Sequence, residues 1–124
     1  MYEILENGQI MYIEIKDTGL QSVIVKSSTN MMEKRIILTA NKTQATLEEE
    51  IIITIQWQKF DIEQGQHLND PATLDPIQVD IAGIQDVVTP GENILFTSAE
   101  QGEYVIKSIV PGVDNAEVKV NVSA

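Results

Sequence analysis

Between Glu50 and Gln58 the chain reads EIIITIQWQ, and no other stretch restricts the fold as strongly. In an extended strand Ile51, Ile53, Ile55 and Trp57 fall on one side, while Ile52, Thr54, Gln56 and Gln58 fall on the other. One apolar face opposite a mostly polar one is the pattern of an antiparallel strand with core on one side and water on the other. The same period of two returns in Ile77, Val79 and Ile81, in Ile94 and Phe96, and in Val118, Val120 and Val122 set against Glu117, Lys119 and Asn121. Turn signals at Pro90-Gly91 and Pro111-Gly112 separate these segments, and no stretch carries the helical period. The expectation is an all-β antiparallel sandwich of about seven strands over residues 35–124.

Three glutamates, Glu48 to Glu50, precede the isoleucine run. Burying three adjacent charges is expensive, so they are expected at an exposed turn that delivers the chain into the strand. As a cation site they converge poorly, because neighbouring residues of a strand point to opposite sides.

Ahead of the sandwich, Asn7-Gly8 lies between two β-prone runs, Tyr2 to Glu6 and Gln9 to Ile15. Asn-Gly favours the positive φ angles of a tight hairpin. Lys16-Asp17-Thr18-Gly19 is a second turn signal, and LQSVIVKSS then reads as a third strand. Residues 1–34 are therefore read as a three-stranded β-meander followed by a linker at STNMMEKR. So small a sheet is marginal alone and needs something to cover it. Strands left unclosed there are templates for strand addition, which leads to the expectation of a protein partner or self-association through the amino-terminal strands.

Charge and composition narrow the function classes. Nineteen acidic against eight basic residues give a net charge of −11, which repels a phosphate backbone and argues against nucleic acid as a partner. The absence of cysteine excludes disulfides, thiolate metal sites and cysteine nucleophiles. No segment is apolar for long enough to span a bilayer as a helix, and MYEILENGQI lacks the basic start and apolar core of a signal peptide. The expectation is a chain made in the cytoplasm, without membrane insertion.

The stretch EQGEYVI, Glu100 to Ile106, resembles the tyrosine corner of immunoglobulin-like sandwiches, with Tyr104 as the residue whose hydroxyl ties the corner to the backbone. Ile106 stands where antibody domains carry a cysteine. LTANKTQATLEEEIIITIQW and GEYVIKSIVPGVDNAEVKVNV are similar to the first and last strand pairs of bacterial immunoglobulin-like repeats of surface adhesins. The resemblance covers about residues 35–124; LEEE stands where those repeats carry a glycine-glutamate turn, and the connection after Trp57 is longer. It implies a non-catalytic scaffolding or attachment role of the kind held by adhesins, accessory modules and phage virion decorations.

Candidate chemistry is sparse. His67 is the only histidine and lies in GQHLND without a G-x-S-x-G elbow, so it reads as a solvated loop residue. Asp61, Glu63, Asp70, Asp75 and Asp80 gather carboxylates around the connection FDIEQGQHLNDPATLDP. Calcium between sandwich loops is the chemistry they suggest, although their spacing fits no calcium-loop signature. Trp57 could stack on a carbohydrate if exposed, but its phase with Ile51, Ile53 and Ile55 assigns it to the core. A ligand-binding accessory module at this connection is the alternative to the structural role. Met31 and Met32 are expected either to cover the meander or to meet a partner. The glycosylation triplets at Asn41 and Asn121 read as chance matches.

Overall fold

The computed structural model describes residues 1–124. Twelve strands and no helix make up the chain: β1 (Tyr2–Ile4), β2 (Gln9–Asp17), β3 (Ser22–Met32), β4 (Lys34–Ala40), β5 (Gln44–Thr46), β6 (Ile51–Asp61), β7 (Gln66–Asn69), β8 (Ile77–Ile81), β9 (Ile84–Val88), β10 (Asn93–Phe96), β11 (Gly102–Ser108) and β12 (Glu117–Ser123). They form three sheets. The first is the order β1-β2-β3; the second is β10-β6-β4, with β7 paired to the far end of β6; the third is β5-β12-β11-β8-β9. Every pairing is antiparallel except the short one between β5 and β12.

The second and third sheets close on one hydrophobic core. Ile51, Ile53, Ile55 and Trp57 supply the β6 side, and Ile77, Val79, Ile106, Val120 and Val122 come from the opposite sheet. Ile51, Ile53, Ile77, Val79, Ile106 and Val120 are wholly removed from solvent. Each such side chain contributes about 1.5–3 kcal/mol of hydrophobic stabilisation. The polar Trp57 indole N–H is satisfied within the core by the Asp75 carbonyl at 3.0 Å.

The glutamates of the β5–β6 corner are exposed at a turn, with Lys42 Nζ 3.3 Å from Glu49 Oε1. Glu48 adopts φ 61°, a conformation that glycine takes at no steric cost. At the same end, where the Glu48 amide donates to the Ser98 carbonyl at 2.7 Å, the Tyr104 hydroxyl donates to the Glu100 carbonyl at 2.8 Å and also meets Ser98 Oγ at 2.8 Å. Replacement of Tyr104 by Phe removes this tie while keeping the ring against Phe96, 5.3 Å away. The expected cost is about 1 kcal/mol by chemical denaturation; an unchanged midpoint would show that the hydroxyl finds equal partners in water.

Four features differ from the sequence expectation. The connection after β8 is a tight hairpin, with Ala82 (φ 52°) and Gly83 (φ 93°) in the two-residue turn. Two successive positive φ values define a type I′ turn, for which Ala is a poor first residue. Ala82→Asn is expected to raise stability by about 0.5–1 kcal/mol, read as a higher denaturation midpoint. The first hairpin, by contrast, is not of that type. Only Gly8 is left-handed (φ 87°), and the Gly8 amide donates to the Leu5 carbonyl while the Leu5 amide donates to the Gln9 carbonyl. A three-residue loop with a glycine bulge therefore takes the place of the Asn7-Gly8 pair.

The other two differences concern how the amino-terminal sheet joins the sandwich. STNMMEKR is not a linker: β3 continues to Met32, and Glu33 alone separates it from β4. Its polar side chains are consumed by a register shift between Gln9 and Met11, where Thr29 Oγ1 donates to the Ile10 carbonyl (2.7 Å) and Gln9 Nε2 to Ser28 Oγ (2.6 Å). Likewise the connection read from Phe60 onward starts as structure. β6 runs to Asp61 and β7 folds back on it, pairing Phe60 with His67.

Candidate functional site

Phe60 is where β6 changes its allegiance. Ile51 to Trp57 point into the sandwich at odd positions, whereas buried Phe60 has the opposite parity and lies outside the sandwich core cluster. Its ring meets Tyr2 edge-on at 5.0 Å and His67 at 5.2 Å, and Tyr2 in turn meets Tyr12 at 5.2 Å. Ile10, fully buried, belongs to the same base of the amino-terminal sheet.

Backbone groups lock this base to the sandwich. The Phe60 amide donates to the Glu33 carbonyl at 2.8 Å. Asp114, in the β11–β12 loop, accepts the Met32 amide on Oδ2 (2.9 Å) and the Ile36 amide on its carbonyl (2.9 Å), and donates to the Lys34 carbonyl (3.1 Å). His67 Nε2 lies 2.7 Å from the Met32 carbonyl, which can only accept, so that nitrogen carries the proton. His67 is thus a half-buried strand residue with a structural partner, not a solvated loop residue. Of the two methionines, Met32 supplies both backbone contacts, and its side chain packs over Gly8.

Beyond this base the ribbon of β2 and β3 projects without cover. β1 follows β2 only as far as the Met1–Ile13 contact, so Glu14 to Asp17 have β3 as their sole neighbour. Antiparallel partners share a face, so Ile15 and its partner Ile24 stand side by side on one face, with 62% and 64% of their surfaces exposed. Leu20, at the tip, is 98% exposed. The other face carries Val23 and Val25. This arm was legible as three strands; its socket was not, because Phe60 gives only a break in the β6 alternation as a signal.

The carboxylates singled out from the sequence are distributed differently. Asp61, Glu63 and Asp70 line a groove of 550 Å³ under the arm, together with Ile4 and Glu33. Asp61 Oδ1 accepts the Glu63 and Gln64 amides, and Asp70 Oδ2 accepts the Thr73 hydroxyl at 2.6 Å. Asp75 does not join them; its carbonyl is the Trp57 partner. Asp80 closes the β8–β9 hairpin by accepting the Gly83 amide at 2.7 Å. No three acidic or histidine side chains stand close enough together to hold one ion. Trp57 is 5% exposed, and Asn41 Oδ1 is engaged by the Ile52 amide.

Comparison with known proteins gives no match: the chain fits no protein-family model, and no curated protein and no solved structure is similar to it.

Proposed function

We propose that the protein is a non-catalytic structural or interaction component, in which an immunoglobulin-like sandwich carries an amino-terminal β-arm that contacts another chain. The observation behind this reading is the arm itself: Ile15, Leu20 and Ile24 are more than 60% exposed on a ribbon whose base is firmly seated on the sandwich. Large apolar side chains held outward on an ordered element lose free energy in water and gain it at an interface.

The immunoglobulin-like assignment is supported by strand order. If β4 and β5 divide the first strand between the sheets, then β6, β8, β9, β10, β11 and β12 take the positions of strands B, C, C′, E, F and G, and Tyr104 stands near the start of F. The tryptophan departs from the antibody pattern, since Trp57 lies on B and not on C. Within such a class, a bacterial surface assembly or a phage virion is the setting in which a small sandwich with a docking arm fits.

A photo-crosslinking side chain in place of Leu20 is expected to give a discrete protein adduct in the cell that makes the chain, and one in place of exposed Glu92 none. No adduct at Leu20, Ile15 or Ile24 would remove the reading. A ligand-binding module is the second reading, favoured by the groove holding Asp61, Glu63 and Asp70. Its sign is a melting temperature that rises with calcium or with a sugar in the wild-type chain and not after Asp61→Asn, a change that keeps a cap for the Glu63 amide.

A further inference from the structure

We propose that the arm's partner is a second copy of the chain, joined through the outer edge of β3 in antiparallel pairing about a two-fold axis at Ile24. The inference rests on the assembly reading above and specifies its occupant.

β3 ends the order β1-β2-β3, so its far side has no pairing partner, and it spans 11 residues. The ends of the other two sheets, β4, β5, β9 and β10, belong to strands of 7, 3, 5 and 4 residues. Long unprotected edges are the ones that recruit another strand. Ser22–Met32 contains no Pro, its sole charge, Lys26, is paired with Glu3 of the same sheet at 3.4 Å, and its bulge lies between Ser28 and Met32, clear of Ser22–Lys26.

Register follows from the side chains. With the axis at Ile24, Val23 of each copy faces Val25 of the other, Ile24 faces Ile24, and Lys26 faces Ser22. Within β3 this pairing covers Ser22–Lys26, and apolar residues meet apolar residues at three successive positions of the five. A shift of the axis to Val25 sets Ile24 against Lys26, and a shift to Val23 sets Val25 against Gln21. Around the chosen axis Ile15 and Ile24 of both copies gather on one face, and the valines on the other.

Charge favours a second copy over the acidic body as the landing site. Residues Gln9 to Met32 carry Glu14 and Asp17 against Lys16 and Lys26, a net charge of zero, so all of the −11 resides outside the ribbon. Antiparallel arms hold the bodies at opposite ends of the pair. Eight residues separate Ile24 from Met32, roughly 27 Å per copy, so the two junctions stand roughly 50 Å apart. That is several screening lengths, and the acidic bodies do not oppose the contact. The chain exposes 7877 Å², whereas a compact monomer of 13.8 kDa exposes about 6,600 Å². The excess, roughly 1,300 Å², reflects the uncovered, projecting arm.

The 124-residue chain is expected to sediment as a species of twice its 13.8 kDa mass at high concentration and to dissociate on dilution. Ile24→Lys places two ammonium groups face to face on the axis and is expected to weaken the dimer at least 100-fold, with circular dichroism and thermal melting of the sandwich preserved. Because the wild type has no cysteine, Ile24→Cys offers a register test: oxidation should give a disulfide-linked dimer, while Lys26→Cys, which faces Ser22, should not self-link. A chain monomeric up to millimolar concentration, a dimer indifferent to Ile24→Lys, or self-linking at residue 26 instead of 24 would overturn the pairing. If the first of these accompanies a Leu20 adduct to a different protein, self-pairing alone fails and the assembly reading stands; if no adduct forms either, both fall.

Discussion

Trp57→Ala is expected to cost about 3–5 kcal/mol, the range for truncating a large buried aromatic. The indole is 5% exposed within the shared core, so its removal opens a cavity between the two sheets, and the Asp75 carbonyl loses the donor that reaches it at 3.0 Å. Domains of this size are stable by only about 5–15 kcal/mol, so the variant sits near the edge of folding. The melting temperature, followed by far-ultraviolet circular dichroism, should fall by more than about 10 °C. Trp57→Phe separates the two contributions: it retains most of the buried volume and loses the N–H, and its cost should be about 1–3 kcal/mol. Equal losses in the two variants would locate the main contribution in the hydrogen bond; a loss of a few degrees in Trp57→Ala would show that the sheets close over the gap.

The alternation that places Trp57 in the core was readable because a half-buried strand repeats every two residues, and Ile51, Ile53 and Ile55 keep that phase without interruption. The same reasoning located Ile77, Val79, Ile94, Phe96, Val120 and Val122, all buried. It failed where local chemistry departs from the commoner choice. Ala82-Gly83 makes a hairpin without the Asn or Asp that marks one, and Ala82 accepts φ 52° because β8 and β9 pair along their whole length around it. The polar run Ser28 to Asn30 resembles a linker because it serves an exposed ribbon and a bulge, where hydroxyl and amide groups replace ladder bonds. Composition reports burial, and this strand has little.

The candidate site was half legible for a related reason. The arm's strands show in sequence as β-prone runs around turn residues, but its attachment depends on residues more than thirty positions apart, such as Met32 with His67 and with Asp114. Asp114 in particular reads as an ordinary acidic loop residue. Its role comes from the arrival of β4 beside the β11–β12 loop, a tertiary event with no local signature.

Phe60→Ala tests whether that attachment is a unit separate from the sandwich. The ring is 3% exposed and joins Tyr2 and His67, so its loss should cost about 3–5 kcal/mol where the arm is seated. Because Phe60 lies outside the core cluster, the loss is expected to fall on β1, β2 and β7, and to spare β11 and β12. Amide hydrogen exchange distinguishes the cases: protection should drop at Tyr2–Ile4 and at the Gln9–Ile13 end of β2, and remain near the wild-type level at Tyr104–Lys107 and Val118–Val122. An arm released in this way keeps its β2–β3 hairpin but no longer holds Ile15 and Ile24 in a fixed direction. Any assembly made through the arm then bears an ordering cost that the seated wild-type arm avoids, and weakens without any change to the contact residues themselves. Uniform loss of protection across all three sheets would mean instead that arm and sandwich unfold as one body, with the aromatic base serving as an extension of the core.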